Sequence, residues 1–138
     1  MPSSRVPAAE VEYSPRGKIG YHGEVEIRQA HGGQSEASIA RMVQRIVEGF
    51  SPDKIILFGS RARGEAHPES DVDLLVLFPK IDDARHRATE LYRLLSGAGV
   101  PKDIIASTTA RFERYKNVPN TIYWPAAREG RVLYERPA

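Results

Sequence analysis

A chain of 138 residues is one domain, long enough to bury about two-thirds of its unfolded surface, and leaves no room for a second catalytic module. It contains no cysteine, which excludes disulfides, thiolate zinc sites and cysteine nucleophiles together. A formal net charge of +2 and a pI of 9.0 suit a phosphate ligand without demanding a nucleic acid. The longest apolar runs, 55–58 and 74–78, are far too short to span a bilayer, and 1–15 has no apolar leader core, so a soluble cytoplasmic protein with no membrane partner is expected.

Residues 1–34 carry many Gly and Pro and no sustained apolar period, and read as a loosely tethered arm in which only 24–28 alternates as a short strand would. A helix is expected from Ser35, because Ile39, Met42, Val43, Ile46, Val47 and Phe50 form one apolar stripe, and 51–53 ends it. Residues 54–58 read as a buried strand closing on Gly59, and 61–66 as one or two helical turns before His67 and Pro68. Residues 71–78 form the second strand, stopped by Pro79. Asp82 or Asp83 then caps a helix whose Ala84, Ala88, Leu91 and Leu95 share a face and which Gly97 ends. A third strand is expected over 102–107, a short helix capped by Thr108 or Thr109, a last helix over 121–130 stopped by Gly130, and a final strand over 131–134.

The chemistry concentrates where the first strand ends and the second begins. Side chains two apart on a strand share a face, so Asp71 and Asp73 present their carboxylates side by side. Two bare carboxylates so placed repel; a hard divalent cation that also binds substrate phosphates makes the arrangement favourable. Gly59 lets the backbone approach a triphosphate and turns its amides toward the anion, and Ser60 adds a hydroxyl donor. Arg61 and Arg63 are candidates to neutralise phosphate charge. No Lys occupies the turn, which excludes a P-loop.

Gly59-Ser60-Arg61-Ala62-Arg63-Gly64, followed by Ser70-Asp71-Val72-Asp73-Leu74-Leu75-Val76, resembles the minimal nucleotidyltransferases of the DNA polymerase beta-like superfamily. The ending Arg128-Glu129-Gly130-Arg131-Val132-Leu133-Tyr134-Glu135 is similar to that family's C-terminus, and the likeness covers roughly residues 36–136. It implies an α/β (α+β) fold, a small mixed sheet flanked by helices, as a minimal nucleotidyltransferase domain over 35–138. It also implies Gly59, Ser60, Arg61, Arg63 and Ser70 at the nucleotide, and Asp71 and Asp73 as catalytic metal ligands. The family places a third Asp on the strand after the second helix, the position of Asp103; a turn residue after Val100-Pro101 is the competing reading of Asp103. The cofactor so implied is Mg2+, two ions, with Mn2+ as the alternative.

The activity implied is transfer of a nucleoside monophosphate, AMP from ATP, to a hydroxyl. Many relatives are encoded beside a HEPN-domain protein and act as antitoxins, attaching AMP to a Tyr of that RNase toxin. The alternatives are a non-catalytic nucleotide-binding antitoxin that neutralises a partner by complex formation, or transfer to a small molecule or an RNA end. A chain this short would then need a second copy of itself or a partner to grip the acceptor, although nucleic acid is not required. Other polar residues carry blander readings: His22, His31, His67 and His86 as surface histidines, Tyr13 and Tyr21 as acceptor sites or packing anchors of the arm, Trp124 as core, and Arg41, Arg45, Arg85, Arg87 and Arg93 as a solvated face.

Overall fold

A computed structural model describes residues 33–67 and 70–138, with side chains from residue 36 onward. The arm up to residue 32, with its short strand at 24–28 and with Tyr13, Tyr21, His22 and His31, lies outside the described residues, as does Pro68. The elements follow the expected order: α1 (Gly33–Phe50), β1 (Lys54–Phe58), α2 (Ser60–Arg63), β2 (Val72–Phe78), α3 (Ala84–Leu94), β3 (Lys102–Thr108), α4 (Thr109–Tyr115), α5 (Tyr123–Glu129) and β4 (Arg131–Glu135). The strands form one mixed sheet in the order β3-β2-β1-β4. β1 runs antiparallel to both β2 and β4, and β2 runs parallel to β3.

Alternation along the strands divides the core in two. On one face the α1 stripe, Ile39, Met42, Val43, Ile46 and Val47, packs with Leu91 of α3 and Leu95 just after it over Ile55, Leu57, Leu74, Val76 and Ile104. On the other, Phe112 of α4 and Tyr123 and Ala126 of α5 cover Ile56, Leu75 and Leu77. Because both faces are covered, β2 is an almost unbroken apolar run, buried at every position except Asp73. The Tyr123 hydroxyl shares a buried hydrogen bond of 2.8 Å with Ser107 Oγ, which ties α5 to β3.

Helix ends follow local chemistry. Asp83 caps α3, accepting from the His86 N–H at 3.1 Å, and Thr108 caps α4 through Arg111 N–H at 3.1 Å. Ala84, expected on the apolar face of α3, is exposed, and Leu94 packs against the core instead. Gly130 does not close α5 in the left-handed conformation usual for a terminal glycine, since its φ is −75°. A Cβ at Gly130 would collide with the Ala126 carbonyl and with Ile56 Cγ2, so close packing requires the glycine there. Among the described residues no helix is long and apolar enough to cross a membrane.

Candidate active site

β1 ends, and β2, β3 and β4 begin, at one end of the sheet. The register there pairs Phe58 with Asp73 and Asp73 with Asp103. Residues opposite one another in a parallel pair point the same way, so Asp73 and Asp103 share the face covered further along by α4 and α5. Asp71, two residues before Asp73, belongs to that face too. The pairing brings Asp71, Asp73 and Asp103 to one end of the sheet, with Asp71 and Asp103 exposed and Asp73 half-buried.

Gly59 completes the floor. It has φ +79° and ψ −160°, a backbone conformation that side chains disfavour. A Cβ built there would run into Asp73 Oδ2, so the glycine leaves room for the carboxylate as well as making the turn. Ser60 opens α2, and Gly64, in the left-handed conformation at φ 77°, closes it.

Burial raises the pKa of Asp73, the charges of Asp103 and then Asp71 raise it further, and Arg63 opposes them. Asp73 therefore already senses the other two carboxylates. Among the described residues no three His, Cys, Asp or Glu side chains converge as a ready-made metal cage. The donor set nevertheless fits a hard divalent cation: it is all oxygen, it is anionic, and a cation would offset both the burial and the neighbouring charges that disfavour ionised Asp73. Asp71, Asp73 and Asp103 are the residues that would hold it.

The two arginines divide. Arg63 is exposed and bridges Glu65, at 2.9 Å, and Glu129 at the end of α5, at 3.5 Å, partners that raise its pKa while its own charge reaches Asp73. Arg61 turns inward on the loop: its Nε and Nη2 donate to the Ser70 carbonyl at 3.1 and 2.8 Å, and Nη2 reaches the His67 carbonyl at 3.5 Å. Ser70 in turn accepts the His67 N–H on its hydroxyl at 2.8 Å. Arg61 and Ser70 thus fasten the segment that delivers Asp71 to β2.

Two contributors escape sequence reasoning. Glu129, which holds Arg63, has no spacing signal because the contact crosses from α5 to α2. Tyr92 donates to Asp103 Oδ1 at 3.2 Å and accepts the Ile104 N–H at 2.8 Å; its one hint is an aromatic ring beside, rather than within, the apolar stripe of α3. Burial chiefly raises the Tyr92 pKa and Asp103 adds to this, while the Ile104 N–H opposes, so the phenol stays protonated and donates. Trp124, expected in the core, is half-buried with the Arg128 guanidinium 3.6 Å from its ring centroid, and its neighbour Tyr123 is the buried aromatic. Arg87 is likewise half-buried, stacked 4.7 Å from the Phe78 ring, whereas Arg41, Arg45, Arg85 and Arg93 are exposed as expected.

No curated protein matches this chain. Among solved structures it is similar to a Sulfolobus solfataricus protein described as a candidate nucleotidyltransferase, at 26% identity and a TM-score of 0.47, over 56% of this chain and 70% of that one. It is also similar to a toxin–antitoxin structure with AMP-PNP, at 22% identity and a TM-score of 0.45, over 72% of each chain. The assignment is carried by a family model, the nucleotidyltransferase domain, which matches residues 39–130 and so takes in Gly59, the three aspartates and the whole sheet up to β4. The chain belongs to the nucleotidyltransferase domain family.

Proposed function

We propose that this protein transfers a nucleoside monophosphate, AMP from ATP, to a hydroxyl of a partner protein, with Asp71, Asp73 and Asp103 holding Mg2+, or Mn2+ in its place. The observation that carries this reading is the register of Asp73 with Asp103: a carboxylate set into an otherwise apolar, buried strand, against a glycine that makes room for it, beside a second carboxylate. A buried carboxylate kept ionised only at a cost is a feature of functional sites. The adenine base and a HEPN-domain acceptor rest on the family resemblance.

In the reaction the acceptor oxygen bonds to the α-phosphorus, the bond from that phosphorus to the pyrophosphate oxygen breaks, and the hydroxyl proton is released. Held by Asp71, Asp73 and Asp103, divalent ions would neutralise the negative charge of the phosphates and of the leaving group. The Gly59 turn lets the backbone lie close to the phosphates, Ser60 offers its hydroxyl as a donor, and Arg63 adds positive charge beside Asp73. Arg61 and Ser70 act one step back, holding the loop that positions Asp71. The aspartate end of the sheet gives the acceptor its approach.

The decisive experiment uses α-labelled ATP and Mg2+ with the purified protein and the product of the adjacent gene, comparing wild type with Asp73→Asn. Label on the partner with wild type alone supports the proposal. A tight complex that never becomes labelled would replace it with neutralisation by binding. Label on an RNA 3′ end or a small hydroxyl compound, and not on protein, would keep the chemistry and change the acceptor.

A further inference from the structure

Among the described residues β3 lies at an edge of the sheet, where outward backbone N–H groups lack a strand partner. The Ile104 N–H, immediately after Asp103, is satisfied by the Tyr92 hydroxyl at 2.8 Å, and that hydroxyl spends its own proton on Asp103 Oδ1 at 3.2 Å. Tyr92 comes from α3, which packs on the face opposite the carboxylates, so its phenol meets β3 from the side. Tyr92 is 39% exposed, and burial alone gives little reason for a tyrosine here. A shorter hydroxyl side chain on α3 would not span the distance.

Asp103 is exposed on a strand that has no outer neighbour among the described residues, the setting in which an aspartate is free to change rotamer. Asp73 is fixed by contrast, lying inside the sheet against Gly59. The one side-chain bond described for Asp103 comes from a hydroxyl whose own place is set by a backbone donor. Such an arrangement selects one orientation and leaves the second carboxylate oxygen for another partner.

We propose that Tyr92 is a positioning residue for the metal site: its hydroxyl, held by the Ile104 N–H, fixes the Asp103 carboxylate beside Asp71 and Asp73 so that the three bind a divalent cation together. The inference rests on the proposed function only in taking the three carboxylates as metal ligands. Residues that orient a ligand in this way typically change metal affinity by about 10- to 100-fold when removed.

The test is binding of Mn2+ alone to the full chain, read from the electron paramagnetic resonance signal of the free ion. The proteins compared are wild type, Tyr92→Phe, Asp103→Asn, the double variant and Asp73→Asn. Tyr92→Phe keeps the ring and removes only the hydroxyl, and is expected to weaken binding about 10-fold. In the Asp103→Asn background the same change is expected to have no further effect, because Tyr92 acts through that carboxylate. A general loosening of β3 would instead lower affinity equally in both backgrounds, and that result would overturn the proposal. Tyr92→Phe binding as tightly as wild type, or more tightly, would overturn it too. Failure of the underlying site reads differently: wild type then binds Mn2+ no better than Asp73→Asn, and both proposals fall.

Discussion

Asp73 is the one charged side chain of β2, and its neighbours make its ionised form costly. Its folded pKa lies above the ordinary value of 3.8, by burial first and then by Asp103 and Asp71. The folded chain therefore binds that proton more tightly than the unfolded chain does, and its stability falls as pH rises from the ordinary carboxylate range through the raised value. Above that window the penalty is complete. Asp73→Asn removes it, so the variant should gain stability over wild type across the window and keep the gain at neutral pH, while losing transfer. Urea unfolding from acid to neutral pH checks this, and parallel profiles for the two proteins would refute it. Mg2+ should stabilise wild type and leave the variant unchanged. Gly59→Ala combines a disfavoured φ with a collision against Asp73, for an expected loss of about 1–3 kcal/mol and of transfer activity; an unfolding curve and the labelled-ATP assay read the two parts separately.

At the scale of elements, the sequence carried most of what was needed. The stripe of α1 and the apolar runs of β1 and β2 give boundaries within a residue or two, because burial on one helical face or on both sheet faces leaves a periodic trace. Spacing alone singles out Asp71, Asp73 and Gly59 as site candidates, and the family resemblance adds Asp103; the register then places Asp73 beside Asp103. Contacts that close between elements leave no such trace: the Arg61 grip on the Ser70 carbonyl, the Arg63–Glu129 pair and the Tyr92 hydroxyl at β3. Gly130 shows the same limit, since its place after α5 was visible while its cause, Ile56 and the Ala126 carbonyl, was not. Gly130→Ala is expected to destabilise the fold by about 1–3 kcal/mol through overpacking, measured by denaturant unfolding, with no change in its midpoint as the contrary result. Arg61→Ala should speed amide exchange at Ser70 and Asp71 and lower the transfer rate; unchanged exchange would release Arg61 from its loop-holding role.

Across the whole molecule the two ends of the sheet do different work. The end opposite the aspartates is closed by Asp53, which accepts the Thr109 hydroxyl at 2.6 Å, pairs with Arg136 at 3.7 Å and bonds through its backbone N–H to the Leu77 carbonyl at 2.7 Å. The Asp53 carboxylate thus joins α4 to the segment after β4 while its backbone N–H holds β2, and Arg136 also donates to the Ser51 carbonyl. Asp53→Ala is expected to cost about 1–2 kcal/mol of stability and to leave the catalytic rate unaltered, a separation that thermal unfolding and steady-state transfer kinetics would confirm or deny. The strand order, with β4 beside β1, was not legible from the sequence, because apolar strands of similar length carry no label for their neighbours.

The pairing of β1 with β2 sets an order of assembly. Phe58 and Asp73 face each other across the short connection 59–71, so Gly59 and Asp73 meet through a local antiparallel contact. Asp103 arrives by the longer crossover through α3, on a parallel edge strand. Non-local parallel pairing closes a larger loop before it is rewarded. Folding is therefore expected to build the Gly59 turn with Asp73 early and to deliver Asp103 late. Weakening β1 or β2 should slow folding, and weakening β3 should mainly hasten unfolding; a stopped-flow comparison of Leu57→Ala with Ile104→Ala would show the two signatures on opposite arms of the chevron.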